Sequence, residues 1–96
     1  MSTVYFSQRA LSDLERVFDF LAREAPAIAT EAANEIVDAT KILQHHPLIG
    51  RPVGNLRELV ISKGRIGYVA LYRYLPKQDR VEILAIRHQR ESGLME

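Results

Sequence analysis

The sequence predicts an α+β fold of the order βααβββ, in which an N-terminal helical hairpin packs on one face of a small, mostly antiparallel, twisted sheet. Three observations predict this fold. A short β-branched and aromatic run at residues 4–6 precedes two segments with helical periodicity, residues 8–25 and 27–46. Beyond residue 54 the period becomes extended, and tight turns separate three strand-like runs, as in an antiparallel meander.

The first helix is predicted to begin after Ser7 and to end before Pro26. The Ser7 hydroxyl can accept a hydrogen bond from an otherwise unpaired backbone N–H of the first turn. The residue before a proline avoids the helical conformation, so Pro26 ends the helix. Apolar positions recur every three or four residues and predict one buried stripe, formed by Ala10, Leu14, Val17, Phe18, Leu21 and Ala25.

The second helix has an alanine-rich face, which allows close approach of a neighbouring helix. This face is predicted to contain Ala29, Ala32, Ala33, Ile36, Thr40 and Leu43. Because almost no linker separates the two helices, they are expected to form an antiparallel hairpin.

Glycines and prolines between residues 47 and 54 predict a loop before the sheet. Strands are then predicted at residues 59–61, 68–75 and 81–87, with turns at 64–67 and 76–80. In the central strand, alternation places Tyr68, Ala70, Tyr72 and Tyr74 on one side and Val69, Leu71, Arg73 and Leu75 on the other. Together with the resemblance described below, alternation predicts that the tyrosine side faces the helices.

The composition excludes several classes of protein. The absence of cysteine removes disulfide scaffolds and thiol catalysis and fits a reducing compartment. No signal peptide is recognisable, and no apolar run approaches the roughly 20 residues that span a bilayer. We therefore expect one soluble cytoplasmic domain over residues 1–96, without metal or cofactor.

Charge is divided unevenly along the chain. Residues 1–50 hold four basic and seven acidic groups, a balance of −3, whereas residues 51–96 hold nine basic and five acidic groups, a balance of +4. The two balances sum to the net charge of +1. The basic second half suggests an anionic partner, although a chance imbalance in a short chain is an equal alternative.

Two groups of polar residues are candidates for chemistry. His45 and His46 can complement the dipole at the end of a helix, and a metal site would require a third ligand. Arg87, His88 and Arg90 could combine an acid–base group with cations that stabilise phosphate charge, or could be a solvated basic terminus. With Lys63, Arg65 and Arg73, these three residues could form a positive contact surface.

Five segments in register resemble the RelE/ParE toxins of bacterial toxin–antitoxin systems. They are "ALSDLERVFDFL", "HHPLIGRPV", "LRELVI", "GYVALYRY" and "VEILAIRHQRE", and they cover about residues 6–91. The resemblance implies the same βααβββ fold. It also implies two functional branches. RelE-like toxins cut mRNA on the ribosome with side chains on the open face of the sheet, whereas ParE-like toxins generally lack that set and are known for poisoning DNA gyrase.

The positions of the nuclease set favour the ParE branch. Aligned on the "GY" pair, the arginine of the nuclease branch corresponds to Val69, and lysines of the preceding strand correspond to about Val60 and Ser62. The tyrosine of the tail corresponds to about Leu94, and Arg87 alone matches a basic position. Loss of single members of a catalytic unit commonly costs orders of magnitude in rate.

The resemblance therefore implies the toxin of a type II toxin–antitoxin, or plasmid stabilisation, module that inhibits growth by binding a target such as DNA gyrase. Its target-binding candidates are Lys63, Arg65, Arg73, Arg87, His88 and Arg90. One alternative is an mRNA endonuclease with Arg87, His88 and Arg90 at its site; another is a non-toxic binding protein that shares the fold. A homodimer and a toxin–antitoxin hetero-oligomer are both compatible with this reading.

Apolar residues beside the two buried stripes could contact the antitoxin. These residues are Leu11, Phe20, Ile28, Val37 and Ile42. They either pack at the edges of the core or form an exposed patch, and such patches mark interfaces. The resemblance implies an antitoxin segment, disordered alone, that folds as a helix against this patch and adds a strand to the sheet.

Overall fold

The computed structural model describes residues 1–63 and 66–88, without the side chains of residues 62, 63 and 66. The predicted α+β fold is confirmed: two helices pack on a five-stranded mixed sheet. The elements are β1 (Thr3–Phe6), α1 (Gln8–Glu24), α2 (Ala29–Thr40), β2 (Arg51–Val53), β3 (Leu56–Lys63), β4 (Ile66–Leu75) and β5 (Arg80–His88). Short 3-10 turns occupy Pro26–Ile28, Lys41–Gln44 and Pro76–Gln78.

Helix α1 begins and ends close to the predicted positions. The Ser7 hydroxyl accepts a hydrogen bond from the Ala10 N–H at 3.0 Å and caps the helix. The predicted buried stripe is wrong at Phe18, which is 37% exposed. Asp13 is buried on α1 instead. A carboxylate therefore lies on the core-facing side of the helix, at a position outside the predicted apolar stripe.

Helix α2 is shorter than predicted, because its last turn is replaced by the 3-10 turn Lys41–Gln44. The Thr40 hydroxyl donates to the Val37 carbonyl at 2.7 Å, a local bond that competes with regular helix geometry. The predicted inner face survives this change: Ala29, Ile36, Thr40 and Leu43 are buried, and Ala32 and Ala33 are half-buried.

The sheet has the strand order β1-β5-β4-β3-β2, with β1 parallel to β5 and the other pairs antiparallel. Strand β2 lies within the segment predicted as a loop, so the prediction was wrong there. Arg51 pairs with Glu58 and Val53 pairs with Leu56. Pro52 between them is tolerated because β2 is an edge strand, where a missing N–H can face solvent.

The predicted assignment of the two sheet faces is confirmed. Tyr68, Ala70 and Tyr72 belong to the buried core between sheet and helices, and Tyr74 packs against it. Val69 and Leu71 therefore lie on the opposite face, which we call the open face. No helix in the described part of the chain is long and apolar enough to cross a membrane.

Candidate interaction surfaces on the sheet and the helices

The centre of the open face is apolar. Cross-strand partners in a sheet share a face, and the central row joins Val60 of β3, Val69 of β4 and Arg87 of β5. The next row joins Glu58, Leu71 and Ala85. Val69 is only 3% exposed, whereas Val60 is 49% exposed. Apolar side chains thus occupy the middle of a face that the helices do not cover.

The carboxylates of the open face pair with arginines. Glu82 lies between Arg73, at 2.7 Å, and Arg80, and the Arg80 guanidinium lies 4.9 Å from the centre of the Tyr5 ring. Hydrogen bonds from Arg80 and then from Arg73 lower the pKa of Glu82 below its ordinary value. Near β2, Glu58 is buried and pairs with Arg51. Glu82 is therefore held as an anion by its arginines rather than poised to exchange a proton, and the Glu58 carboxylate is engaged by Arg51.

Arg87 and His88 lie on opposite faces of β5. Arg87 pairs with Val69 on the open face, whereas His88 pairs with Tyr68 on the helix side. The His88 ring meets the Tyr68 ring edge-on, with centroids 5.5 Å apart. The structure therefore does not bring these two candidate residues together, and an acid–base group directly beside a phosphate-stabilising cation is not formed by this pair.

Among the other predicted target-binding residues, Arg73 is the one with a described side chain, and it lies apart from Arg87. Arg73 is engaged by Glu82 and lies four residues along β4 from the partner of Arg87, which is roughly 13 Å at strand rise. Lys63 ends β3, but its side chain lies outside the described residues, as do Arg65 and Arg90. Arg87 is exposed, and none of the ion pairs within residues 1–63 and 66–88 involves it.

The two histidines after α2 do not complete a metal site with other described residues. His45 and His46 are both exposed. Among residues 1–63 and 66–88, no group of three or more histidine, cysteine or carboxylate side chains could hold a metal ion. The structure gives these histidines no partner set for chemistry within that part of the chain.

Most of the apolar residues predicted to contact an antitoxin are exposed. Leu11, Phe20, Ile28 and Ile42 are between 41% and 52% exposed, and Val37 is half-buried. They do not form a single row. Leu11 and Phe18 are seven residues apart and share one flank of α1, whereas Phe20 lies about 200° around the helix from Phe18, beyond the buried stripe. A partner that covers both flanks must therefore wrap around the helical layer.

The loop after α2 presents two further apolar side chains, which are not among the predicted contact residues. Leu48 is 58% exposed and Ile49 is 52% exposed. The buried Tyr72 hydroxyl holds the loop backbone: it donates to the Pro47 carbonyl and accepts from the Gly50 N–H, both at 2.8 Å. Burial raises the pKa of Tyr72 above 10.0, so the hydroxyl keeps the proton that it donates.

A side chain at Gly50 would collide with Tyr72, because an added Cβ would lie 2.6 Å from the tyrosine ring. Arg57 also holds the loop, donating to the carbonyls of Leu48 and Gly50 at 3.0 and 2.8 Å. The sequence signal for this arrangement is Gly50 between Pro47 and Pro52, which indicates a constrained turn. The signal does not indicate that Tyr72 bonds to this turn.

Comparisons of sequence and of structure with known proteins all find toxins or toxin–antitoxin systems. The family model described as "ParE toxin of type II toxin-antitoxin system, parDE" matches residues 4–93. A curated relative, Toxin RelE3 of Caulobacter vibrioides, is 39% identical over 92 residues, covering 95% of this chain and 98% of the relative.

Two solved structures share the architecture. A structure of the chromosomal ParDE toxin–antitoxin system from P. aeruginosa matches with a TM-score of 0.77 and 26% identity, covering 92% of this chain and 96% of the other. The RelBE2 toxin–antitoxin complex from Mycobacterium tuberculosis matches with a TM-score of 0.61 and 25% identity, over 91% and 96% of the two chains.

Proposed function

The chain belongs to the ParE toxin family of type II toxin–antitoxin systems, and on that premise we propose that it arrests growth by binding DNA gyrase in the cytoplasm rather than by cleaving RNA. In this proposal the open face and Arg87 contact the target. The toxin would serve plasmid stabilisation or an equivalent addiction module.

One observation carries the proposal: the central row of the open face holds Val60 and Val69, where the nuclease branch is expected to hold basic residues, and the next row adds Leu71 and Ala85. General acid–base catalysis needs a titratable group within hydrogen-bond reach of the proton that moves. The described carboxylates of this face, Glu58 and Glu82, are engaged by arginines. The exposed Val60 and Arg87 of the central row suit a binding contact better, since arginine is enriched at the energetic centres of interfaces.

A second candidate function, ribosome-dependent mRNA cleavage, is favoured by one observation. The 39%-identical relative is named as a RelE toxin. In that case His88 is the acid–base candidate, and its position on the helix side of β5 requires the substrate to reach around the strand end rather than across the open face.

The test of the proposed target is inhibition of DNA supercoiling by purified gyrase. Arg87→Ala removes an exposed positive charge from the open face, and Arg23→Ala removes an exposed positive charge from the last turn of α1 as the matched control. We expect Arg87→Ala to weaken inhibition about tenfold or more, the range of an interface arginine, and Arg23→Ala to leave it unchanged. Supercoiling that is unaffected by the wild-type protein at saturating concentration would reject gyrase as the target.

The helical surface is proposed to bind the cognate antitoxin. Four of the five residues proposed for it are large apolar side chains on the surface, and single exposed apolar residues are common, but several on neighbouring elements are typical of an interface. The proposed contacts are Leu11, Phe20, Ile28, Val37 and Ile42. An antitoxin helix lying against one flank of α1 can reach Phe20, and contact with Leu11 requires it to continue around to the other flank.

Phe20→Glu is expected to weaken antitoxin affinity at least tenfold, about 1.4 kcal/mol, because it places a charge in a desolvated contact. Gln78→Glu adds the same charge at an exposed position of the turn Pro76–Gln78, away from the two helices, and is the matched control. Calorimetry on the purified pair measures both, and circular dichroism checks that each variant is folded. Equal affinities for wild type and Phe20→Glu would remove Phe20 from the antitoxin surface.

A further inference from the structure

Asp13 is a buried carboxylate that neither proposed surface uses. Its side chain is 3% exposed, and its Oδ1 lies 3.1 Å from Nη2 of Arg16. Its Oδ2 lies 3.8 Å from Nε of Arg9 and accepts a hydrogen bond from the Ile86 backbone N–H at 3.0 Å. A buried charge is costly unless it is paired and hydrogen-bonded, so the contact with Ile86 is a built feature of the fold.

Ile86 lies next to a β-bulge. On one side of it Tyr72 pairs with Ile83, and on the other side Leu71 pairs with Ala85, so Leu84 is one extra residue in β5. Side chains of α1 and its N-cap bond to the backbone at this extra residue and two residues beyond it. The Ser7 hydroxyl donates to the Leu84 carbonyl at 3.2 Å, and Asp13 accepts from Ile86.

The bulge decides which face Arg87 occupies. With it, Arg87 pairs with Val69 on the open face, and Ile86 pairs with Ala70 and is fully buried. If the register of the first half of β5 continued without the extra residue, Arg87 would pair with Tyr68 and Ile86 with Val69. A one-residue shift moves every side chain to the other face, so Arg87 would then point toward the helices.

We propose that Asp13 is a positioning residue, which holds the bulge at Leu84 through the Ile86 N–H and thereby keeps Arg87 on the open face. The inference rests on the proposed function only for the statement that Arg87 contacts the target. The geometric part depends on the pairing of β4 with β5 alone and can be tested without any target.

The test compares three variants by residue-resolved amide exchange and by cross-strand nuclear Overhauser contacts. Asp13→Ala removes the acceptor. Asp13→Asn keeps a side-chain oxygen in the same place, and Arg16→Ala removes an ion pair of Asp13 while leaving its bond to Ile86. The reference amide is Val81, which lies in the other half of the same strand.

We expect the Ile86 amide to exchange about tenfold faster or more in Asp13→Ala, with Val81 unchanged, because only the bulged half of the strand opens locally. The Val69–Arg87 contact should weaken in the same variant. Asp13→Asn and Arg16→Ala should stay within about threefold of wild type at Ile86. Protection of Ile86 that survives Asp13→Ala, or that falls equally at Val81, would overturn the positioning role.

Ser7→Gly is the second probe, for the case in which Asp13→Ala does not fold. Glycine is tolerated at a helix N-cap, so this variant removes the hydroxyl at the bulge with little cost to the helix. We expect faster exchange confined to residues 84–86 and an unchanged Val81. Unchanged exchange at residues 84–86 would contradict the claim that α1 holds the bulge.

Target inhibition separates the two proposals. Residues that act through one contact are not additive, so Asp13→Ala, Arg87→Ala and the double variant should weaken gyrase inhibition to a similar extent. If Asp13→Ala speeds amide exchange at Ile86 but Arg87→Ala does not change gyrase inhibition, the proposed function is contradicted and the positioning role is supported. Additive losses in the double variant would count against Asp13 acting through Arg87.

Discussion

The two faces of the sheet are both apolar at the centre, but different groups surround the two centres. On the helix side, tyrosines and aliphatic residues meet the buried stripes of α1 and α2 in one core. The polar atoms that enter this core are satisfied, as in the Tyr72 hydroxyl and the Asp13 carboxylate. On the open face, a similar apolar centre is bordered by arginine–carboxylate pairs and by Arg87.

The difference teaches where stability and recognition are located in a small toxin fold. Buried apolar area is the main source of stability, and most of it lies on the helix side. On the open face the apolar centre is only partly exposed: Val69 and Ala85 are buried, whereas Val60 is 49% exposed and accessible to a partner. Substitutions on the two faces should therefore separate folding from function.

The largest effect on stability is expected from neighbouring residues of β3 that point to opposite faces. Ile61 is 4% exposed on the helix side, and Val60 is 49% exposed on the open face. Ile61→Ala should lower the free energy of unfolding by about 2–5 kcal/mol, since it leaves a cavity in the core. Val60→Ala should cost less than about 1 kcal/mol. Urea denaturation measures both, and equal losses would mean that the open face is packed as tightly as the core.

A smaller loss is expected when only a hydroxyl is removed from the core. Tyr72→Phe leaves the Gly50 N–H and the Pro47 carbonyl without their partner, at a cost of about 1–3 kcal/mol. Tyr74→Phe is the control, because none of the hydrogen bonds described for residues 1–63 and 66–88 uses the Tyr74 hydroxyl. Thermal unfolding of both variants gives the comparison. A stable Tyr72→Phe variant would show that the loop is held without the Tyr72 hydroxyl, by contacts such as the Arg57 bonds to Leu48 and Gly50.

The smallest effect is expected from the ion pairs of the open face. Arg80 and Arg73 lower the pKa of Glu82 below its ordinary value of 4.5, so the pairing stabilises the fold above that pH and is lost as the pH falls through the lower, folded-state pKa. Glu82→Gln should therefore be less stable than wild type at neutral pH and approach it in acid. Glu15→Gln is the control for an exposed carboxylate. If the stability difference between Glu82→Gln and wild type instead grew in acid, the ion pairs of Glu82 would not stabilise the fold.

Local sequence rules predicted the elements whose signals are local. The Ser7 cap, the Pro26 stop and the alternation of β4 each follow from the chemistry of a few neighbouring residues, and the structure confirms them. The separation of Arg87 from His88 also follows from alternation along β5, whereas the predicted site grouped the basic run as one cluster. Three predicted contact residues have side chains that lie outside the described residues: Lys63, Arg65 and Arg90.

Other features depend on distant parts of the chain. Asp13 stands in the spacing of the buried stripe, three residues after Ala10 and four before Val17, but its partner Ile86 is 73 residues away. The bulge at Leu84 has no turn residue or glycine to mark it. Strand β2 contains a proline and only three residues, and it forms because β3 lies beside it.

The central claim is that the open face acts by binding and not by turnover. Its most direct test is to incubate the purified protein with mRNA-programmed ribosomes, over toxin-to-ribosome ratios from well below one to a large excess, and to map the mRNA ends. The account predicts intact mRNA at every ratio, with growth arrest still produced in cells. Cleavage by substoichiometric wild-type protein, abolished by Arg87→Ala or by His88→Ala in a folded variant, would contradict it.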